Sequence, residues 1–306
     1  MVKRAGKSGN AQAILIVGHK SYIANRLCQH FERDGTEVQF LSQSGNVYCK
    51  NNKLLPELLV KKNRNSFKYS HIINCAGPDR DFCIKFPEMG ITRRKQVLYK
   101  IFKLIEYGLA ENIMHLSTIH VFGGVNSKDQ NPKSFACPND PYGYSHVIAE
   151  NELIEQFSST KYKNNFTILR LPNLFGHSKK MLAGPLGLFG NETIYMACKG
   201  LVKLKAKKNY AINLFPLGLL CDMIVKECIE QKYLGQTINL YPERPTKILD
   251  YVNQINKHTQ FDIESKILVE TPRHSNNISD IQFNNFESYF DYEVYETFLF
   301  FQKKCK

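Results

Sequence analysis

Apolar residues follow two rhythms along the first 175 positions. Short unbroken apolar runs, of which Ala13-Ile14-Leu15-Ile16-Val17 is the first, alternate with stretches whose apolar residues recur every three or four positions. The run at 13–17 predicts a strand buried on both faces, and the stretches at 37–41, 71–75, 112–116 and 166–171 read as further strands. The spacing between them predicts helices over 21–33, 96–109 and 142–157. Strands separated by helices imply an α/β chain built on a doubly wound parallel sheet.

After about residue 175 the rhythm changes. Gly184-Pro185-Leu186-Gly187-Leu188-Phe189-Gly190 reads as a loop. The pattern then predicts helices over 217–231, 246–258 and 292–303, with strands at 236–240 and 266–270. The expected organisation is a basic tail over 1–12, a main domain over 13–175, and a smaller mixed lobe over 176–306 packed tightly on it. The cleft between the two lobes is the expected binding place.

Composition narrows the classes. The formal charge is +13, from 41 Lys and Arg against 28 Asp and Glu. Lys61-Lys62, Arg93-Arg94-Lys95, Lys179-Lys180 and the lysines from 203 to 208 lie far apart, without the interleaved aromatics of a single-strand platform. The expected partner is therefore not nucleic acid but a phosphate-bearing small molecule. No apolar run reaches the roughly 18 residues needed to span a bilayer, and the N-terminus has no signal-peptide core, so no membrane partner is expected. The nine cysteines show no metal or disulfide spacing, which fits reduced thiols in a cytoplasmic protein and no metal site. Two Asn-x-Thr matches, Asn165 and Asn191, are taken as chance. The aromatic-rich stretch 289–301 fits core or a homodimer face.

The first strand runs into Gly18-His19-Lys20-Ser21-Tyr22-Ile23-Ala24. Gly18 allows a tight turn, and Ser21 and Ala24 are small enough for a backbone to approach a phosphate. The second strand ends Leu41-Ser42-Gln43-Ser44. No carboxylate stands there to hold the ribose hydroxyls of NAD, which leans the cofactor towards NADP with NAD still open.

Five motifs follow in order: Gly18 to Ala24; Asn74-Cys75-Ala76-Gly77; Ser117-Thr118-Ile119-His120-Val121-Phe122-Gly123; Pro141-Tyr142-Gly143-Tyr144-Ser145-His146 with Glu150; and Leu169-Arg170-Leu171-Pro172-Asn173-Leu174-Phe175-Gly176. Together they resemble the extended short-chain dehydrogenases/reductases, the group of NAD-dependent epimerases and dehydratases. The resemblance implies a Rossmann-like fold over residues 13 to 180. It implies that Tyr142 exchanges a proton with substrate, that Thr118 hydrogen-bonds the same oxygen, and that the residue at 146 touches the nicotinamide ribose and tunes Tyr142. Gly18, Ser21, Tyr22, Ile23, Ser42, Ala76 and Gly77 would line the cofactor with Tyr142 and His146. Ser117, His120 and Asn173 would lie near the substrate.

The chain departs from the pattern at residue 146, where the family carries Lys. A free His is mostly neutral at pH 7, so the fixed charge beside the phenol is lost. Three readings stay open: His146 held protonated by a carboxylate, a neutral Tyr142 acting only as an acid, or a decayed site. Ile119 and His120 replace the Asp-Glu pair of the sugar dehydratases, which removes the acid and base for dehydration. The motifs come closest to the dTDP-4-dehydrorhamnose reductase group, which implies reduction of a 4-keto nucleotide sugar, with epimerisation as a variant. Gly184-Pro185, Lys199-Gly200 and Asn213-Leu214-Phe215-Pro216 resemble reductases of acyl-thioester carbonyls. That substrate class remains open, as does a non-catalytic binding or structural protein.

Overall fold

The computed structural model describes residues 13–41, 47–49, 69–123, 135–178, 188–200, 211–258, 281, 283 and 285–305. Six parallel strands form its centre: β1 (Ile14–Val17), β2 (Val38–Leu41), β4 (Tyr69–Asn74), β5 (Ala110–Thr118), β6 (Phe166–Leu171) and β10 (Gln236–Asn239). A short antiparallel strand, β3 (Val47–Cys49), adds an edge that the sequence pattern does not announce. The spatial order is β10-β6-β5-β4-β1-β2-β3. The chain thus winds outward in both directions from β1 and β4, the Rossmann-like arrangement expected. Such a sheet places its ligand crevice beyond the carboxyl ends of the two strands where the order reverses.

Side chains alternate across the sheet and build one core on each face. Leu15, Val17, Ile72, Ile113 and Ile168 meet Leu98, Ile101, Ile105 and Leu153. Those last four belong to α3 (Pro87–Glu106) and α4 (Pro141–Ser158). Ile14, Ile16, Ile73, Met114 and Leu169 face the other way, towards α1 (Tyr22–Arg33) and the second half of the chain. This is why β1 reads as a continuous apolar run and its neighbours keep adjacent apolar residues at their centres: both faces are covered.

Helix α3 starts nine residues before the expected boundary at 96, with Pro87 in its first turn. Proline suits that position because its missing N–H would have had no partner. A short helix α2 (Arg80–Lys85) precedes it, capped by Asp79. The expected helix from 246 gives up its first two residues to a strand: β11 (Thr246–Lys247) pairs with β8 (Ala211–Ile212). Another two-stranded sheet joins β7 (Asn173–Phe175) to β9 (Leu214–Pro216). The expected strand at 266–270 lies outside the described residues, as do residues 184–187 of the expected loop. Gly190 from that loop sits in the first turn of α5 (Phe189–Cys198). Any Cβ there would come within 2.6 Å of the Phe175 side chain.

Helices α6 (Leu217–Glu230), α7 (Ile248–His258) and α8 (Phe286–Cys305) complete the second half. Their attachment to α1 is partly ionic. Arg26 and Glu293 are both buried, with Nη2 and Oε2 3.4 Å apart, and the Gly218 amide donates to the same carboxylate at 3.0 Å. Breaking one partner of such a pair would strand a charge in the interior. Asn191 is fully buried and accepts from the Gly176 amide at 2.8 Å. Among the described residues, no helix is long and apolar enough to cross a membrane.

Candidate active site

The carboxyl ends of β1, β4 and β5 carry most of the residues singled out by the sequence. Gly18 follows β1 with φ of +93°, and a Cβ there would lie 2.9 Å from the Ala76 backbone. Only glycine allows both that conformation and that contact. The Ser21 amide donates to Gly18 O at 2.8 Å, and the Ser21 hydroxyl accepts from the Ala24 amide at 3.0 Å. Two amides in the first turn of α1, those of Tyr22 and Ile23, are left with no helical partner. Paired amides at a helix start, with the helix dipole behind them, attract anions. The Tyr22 side chain turns away: its hydroxyl donates to Gly176 O at 2.5 Å, and burial pushes its pKa up. Ser42 lies outside the described residues.

After β4, Asn74 orders its neighbours. Its Oδ1 accepts from the Ala76 amide at 3.1 Å, which orients the side-chain amide, and its Nδ2 therefore donates to His115 Nδ1 at 2.9 Å. His115 must carry its proton on Nε2. That nitrogen is buried and has no partner among the described residues. Burial first, and the Arg94 charge second, push the His115 pKa down to about 3.

At the end of β5, Thr118 caps a 3-10 turn (Ile119–Phe122), its hydroxyl accepting from the His120 amide at 3.3 Å. Helix α4 packs against this turn so closely that a Cβ on Gly143 would stand 2.4 Å from His120 O. Asp140 caps α4 through the Gly143 amide at 2.7 Å and receives Arg80 Nε at 2.9 Å. Partial burial raises the Asp140 pKa, but these two donors outweigh it and hold the carboxyl below its ordinary value.

One turn into α4, Tyr142 and His146 share a face. Their rings meet edge to face with centroids 4.7 Å apart, and the His120 ring stands 5.8 Å from Tyr142. Burial raises the Tyr142 pKa above its ordinary value, against the lowering effect of the Arg94 guanidinium.

His146 is buried, with Nδ1 3.3 Å from Ser117 Oγ. The Ser117 hydroxyl donates its proton to Glu150, whose carboxylate is gripped by Arg170 at 2.7 and 3.1 Å. Ser117 can therefore only accept from His146, which fixes the proton on Nδ1 and a lone pair on Nε2. Nε2 has no partner among the described residues. Burial, with Arg94, His115 and His120 adding to it, pushes the His146 pKa well below 6.5. The idea of a His146 kept protonated by a carboxylate is thus corrected: Glu150 is one hydroxyl away and its charge is already paired.

Ser117, expected near substrate, is buried between His146 and Glu150 instead. Asn173 is partly exposed at the start of β7, with its amide donating to Asn213 O at 3.1 Å. Ala76 and Gly77 line the switch point, and Gly77 is covered by Arg94: a Cβ there would sit 2.2 Å from Arg94 Nη1. Arg94 is the residue that sequence reasoning missed. It was read within a charged run, yet it lies on the buried stripe Gly90, Arg94, Leu98, Ile101, Ile105 of α3. An arginine on an apolar stripe was the available signal. Asn213, quoted above in the stretch Asn213-Leu214-Phe215-Pro216, is 1% exposed, with both side-chain amide atoms unpartnered among the described residues.

The doubly wound sheet thus carries Tyr142 and His146 on one face of α4, beside the 3-10 turn that follows β5. A family model described as the NAD dependent epimerase/dehydratase family matches residues 14–186. The chain belongs to that family. No curated protein sequence matches it. Similar solved structures include the UDP-N-acetylglucosamine 4-epimerase of Methanobrevibacter ruminantium, in complex with UDP-N-acetylmuramic acid, at 17% identity and TM-score 0.75, covering 96% of this chain and 99% of that one. The UDP-glucose 4-epimerase of Stenotrophomonas maltophila, with bound NAD and formylated UDP-arabinopyranose, is 13% identical with TM-score 0.68, covering 95% of this chain and 97% of that one. A dTDP-4-dehydrorhamnose reductase from Clostridium acetobutylicum is 18% identical with TM-score 0.62, covering 84% of each chain. At these identities the likeness speaks for the fold.

Proposed function

We propose that this protein is an NAD(P)-dependent reductase of a keto group on a nucleotide-linked sugar, with Tyr142 as the proton donor. The observation that carries this reading is the Tyr142 ring set against His146, whose Nδ1 proton points to a Ser117 hydroxyl already committed to Glu150. Tyr142 has its pKa raised and His146 has its pKa lowered, so at neutral pH the pair is an intact phenol beside a neutral imidazole. Such a site holds a proton to give and, at neutral pH, has no phenolate with which to take one. Ketone reduction needs a proton given to the developing alkoxide. Epimerisation and alcohol oxidation begin by taking one.

The residues present fit a dinucleotide. The amides of Tyr22 and Ile23 at the start of α1 would bind its pyrophosphate, with Gly18 and Ala76 allowing close approach. The unpartnered Nε2 of His146 would accept a ribose hydroxyl, taking over the contact that the family's Lys makes. The missing carboxylate after Leu41 favours NADP over NAD. When bound, the reduced nicotinamide supplies the hydride for the carbonyl carbon. Thr118 would hydrogen-bond the carbonyl oxygen and Tyr142 would protonate it. Asn173 and His120 would bound the sugar pocket. Similar proteins are named for nucleotide sugars, which supports that substrate class.

The test is calorimetric titration with NADPH and NADH, followed by turnover assays on 4-keto nucleotide sugars with Tyr142→Phe as control. The reading expects binding tighter for NADPH, turnover by the native protein, and loss of turnover without loss of binding in the variant. Absence of binding at millimolar cofactor would favour a non-catalytic protein, and turnover of acyl-thioester carbonyls alone would move the substrate class.

A further inference from the structure

We propose that Arg94 is the positioning residue that supplies the positive charge for the Tyr142 phenol, doing from α3 what residue 146 does not do from α4. This rests on the reading of Tyr142 as proton donor. Once the phenol has given up its proton, the O–H electron pair stays on its oxygen, and a buried phenolate needs a cation beside it.

Among the described residues, several elements turn titratable groups towards Tyr142. From its own helix comes His146, and from the 3-10 turn His120, both held neutral by burial. From α2 comes the Cys83 thiol, and from the cap of α4 comes Asp140, both of which disfavour a phenolate. From α3 comes Arg94, the fixed cation of the set, with its guanidinium carbon 5.3 Å from the centre of the Tyr142 ring. A guanidinium does not lose its proton under ordinary conditions.

The way Arg94 is held supports a role beyond packing. It is 5% exposed, and among the described residues no carboxylate pairs with it. Its Nε donates to Ser145 Oγ at 2.9 Å and its Nη2 to Pro78 O at 2.8 Å. Ser145 in turn donates to Tyr142 O at 2.7 Å, so the anchor of the guanidinium belongs to the same helical turn as the phenol. Gly77 leaves the room that Nη1 occupies. A buried arginine whose partners among the described residues are all neutral is costly, and neutral hydrogen bonds offset only part of that cost. A neighbour that becomes negative on giving up its proton would offset the rest, and Tyr142 is the group in reach.

The experiment reads the phenol directly. 2,3,5-Trifluorotyrosine, whose hydroxyl ionises well below that of tyrosine, is placed at 142 in the full chain, and its titration is followed by fluorine NMR without cofactor or substrate. Arg94→Met should raise the midpoint by about one to three units, the range for an opposite charge at this distance. Arg94→Lys should restore most of the shift. An unchanged midpoint in Arg94→Met, or a shift as large in Arg94→Lys, overturns the proposal. Should the neutral variant fail to fold, Ser145→Ala releases the guanidinium without removing charge; a smaller upward shift is expected, and no shift overturns the proposal. Because the readout needs no turnover, the two readings fail separately. A shifted midpoint in a protein inactive on every keto sugar removes the reductase reading alone, and full activity with an unshifted midpoint removes Arg94 alone.

Discussion

Ser117 accepts a hydrogen bond from His146 while giving its own proton to Glu150, and this direction fixes which nitrogen of His146 is left with a lone pair. A histidine at the position of the family's Lys is therefore oriented by a hydroxyl, with Arg170 closing the chain behind Glu150. Ser117→Ala should leave the His146 Nδ1 proton without its acceptor and Glu150 Oε1 with Arg170 Nε as its remaining donor. A stability loss of about 1–3 kcal/mol is expected. Urea unfolding checks it, and weaker cofactor binding in the same variant would show that the orientation of His146 matters to the ligand.

The direction of the chemistry sets a pH profile. With Tyr142 intact and His146 neutral, kcat for ketone reduction should be flat between about pH 6 and 9. An epimerase using the same phenol as a base should speed up as pH rises through that range. Steady-state rates at saturating substrate separate the two.

Acid should weaken the fold through its buried histidines. His71 and His115 are held neutral, with pKa values pushed by burial from 6.5 to about 4 and about 3. The unfolded chain binds the proton that the folded one refuses. Stability from each is thus fully present above pH 6.5 and lost as pH falls through 6.5 towards those folded values. Between pH 7 and 5 the loss is about 2 kcal/mol for each group. Urea midpoints at the two pH values test this. His71→Leu should flatten the difference, since His71 Nδ1 has no partner to lose among the described residues.

Gly143 lies between Tyr142 and the turn that carries Thr118. Gly143→Ala would put a methyl group 2.4 Å from His120 O, so α4 must move away. Overpacking of this kind costs about 1–3 kcal/mol. The expected result is a lower melting temperature together with a fall in turnover larger than the fall in cofactor affinity. The amides of α1 are far along the chain from this contact and should be unaffected.

Most of the central sheet was legible because strands covered on both faces keep consecutive apolar residues, as β1 does throughout and β4, β5 and β6 do at Ile72-Ile73, Ile113-Met114 and Ile168-Leu169. The start of α3 was not, since Pro87 to Lys95 mixes exposed charge with a buried stripe that only the packed helix separates. β7, β8, β9 and β11 have two or three residues each, too few for any period to register.

The sequence alone determined the doubly wound sheet, the turn at Gly18 and the pairing of Tyr142 with His146 on one helical face, because each depends on local spacing. What the tertiary structure decided is charge. Whether His146 is protonated depends on its burial and on Arg94, His115 and His120 around it. Which of its nitrogens carries the proton depends on Ser117 and Glu150, which reach it from β5 and the next turn of its own helix. That Arg94 is buried rather than solvated depends on how α3 packs against α4. Burial and neighbouring charge act through space, and one-dimensional order carries no record of them until the chain has folded.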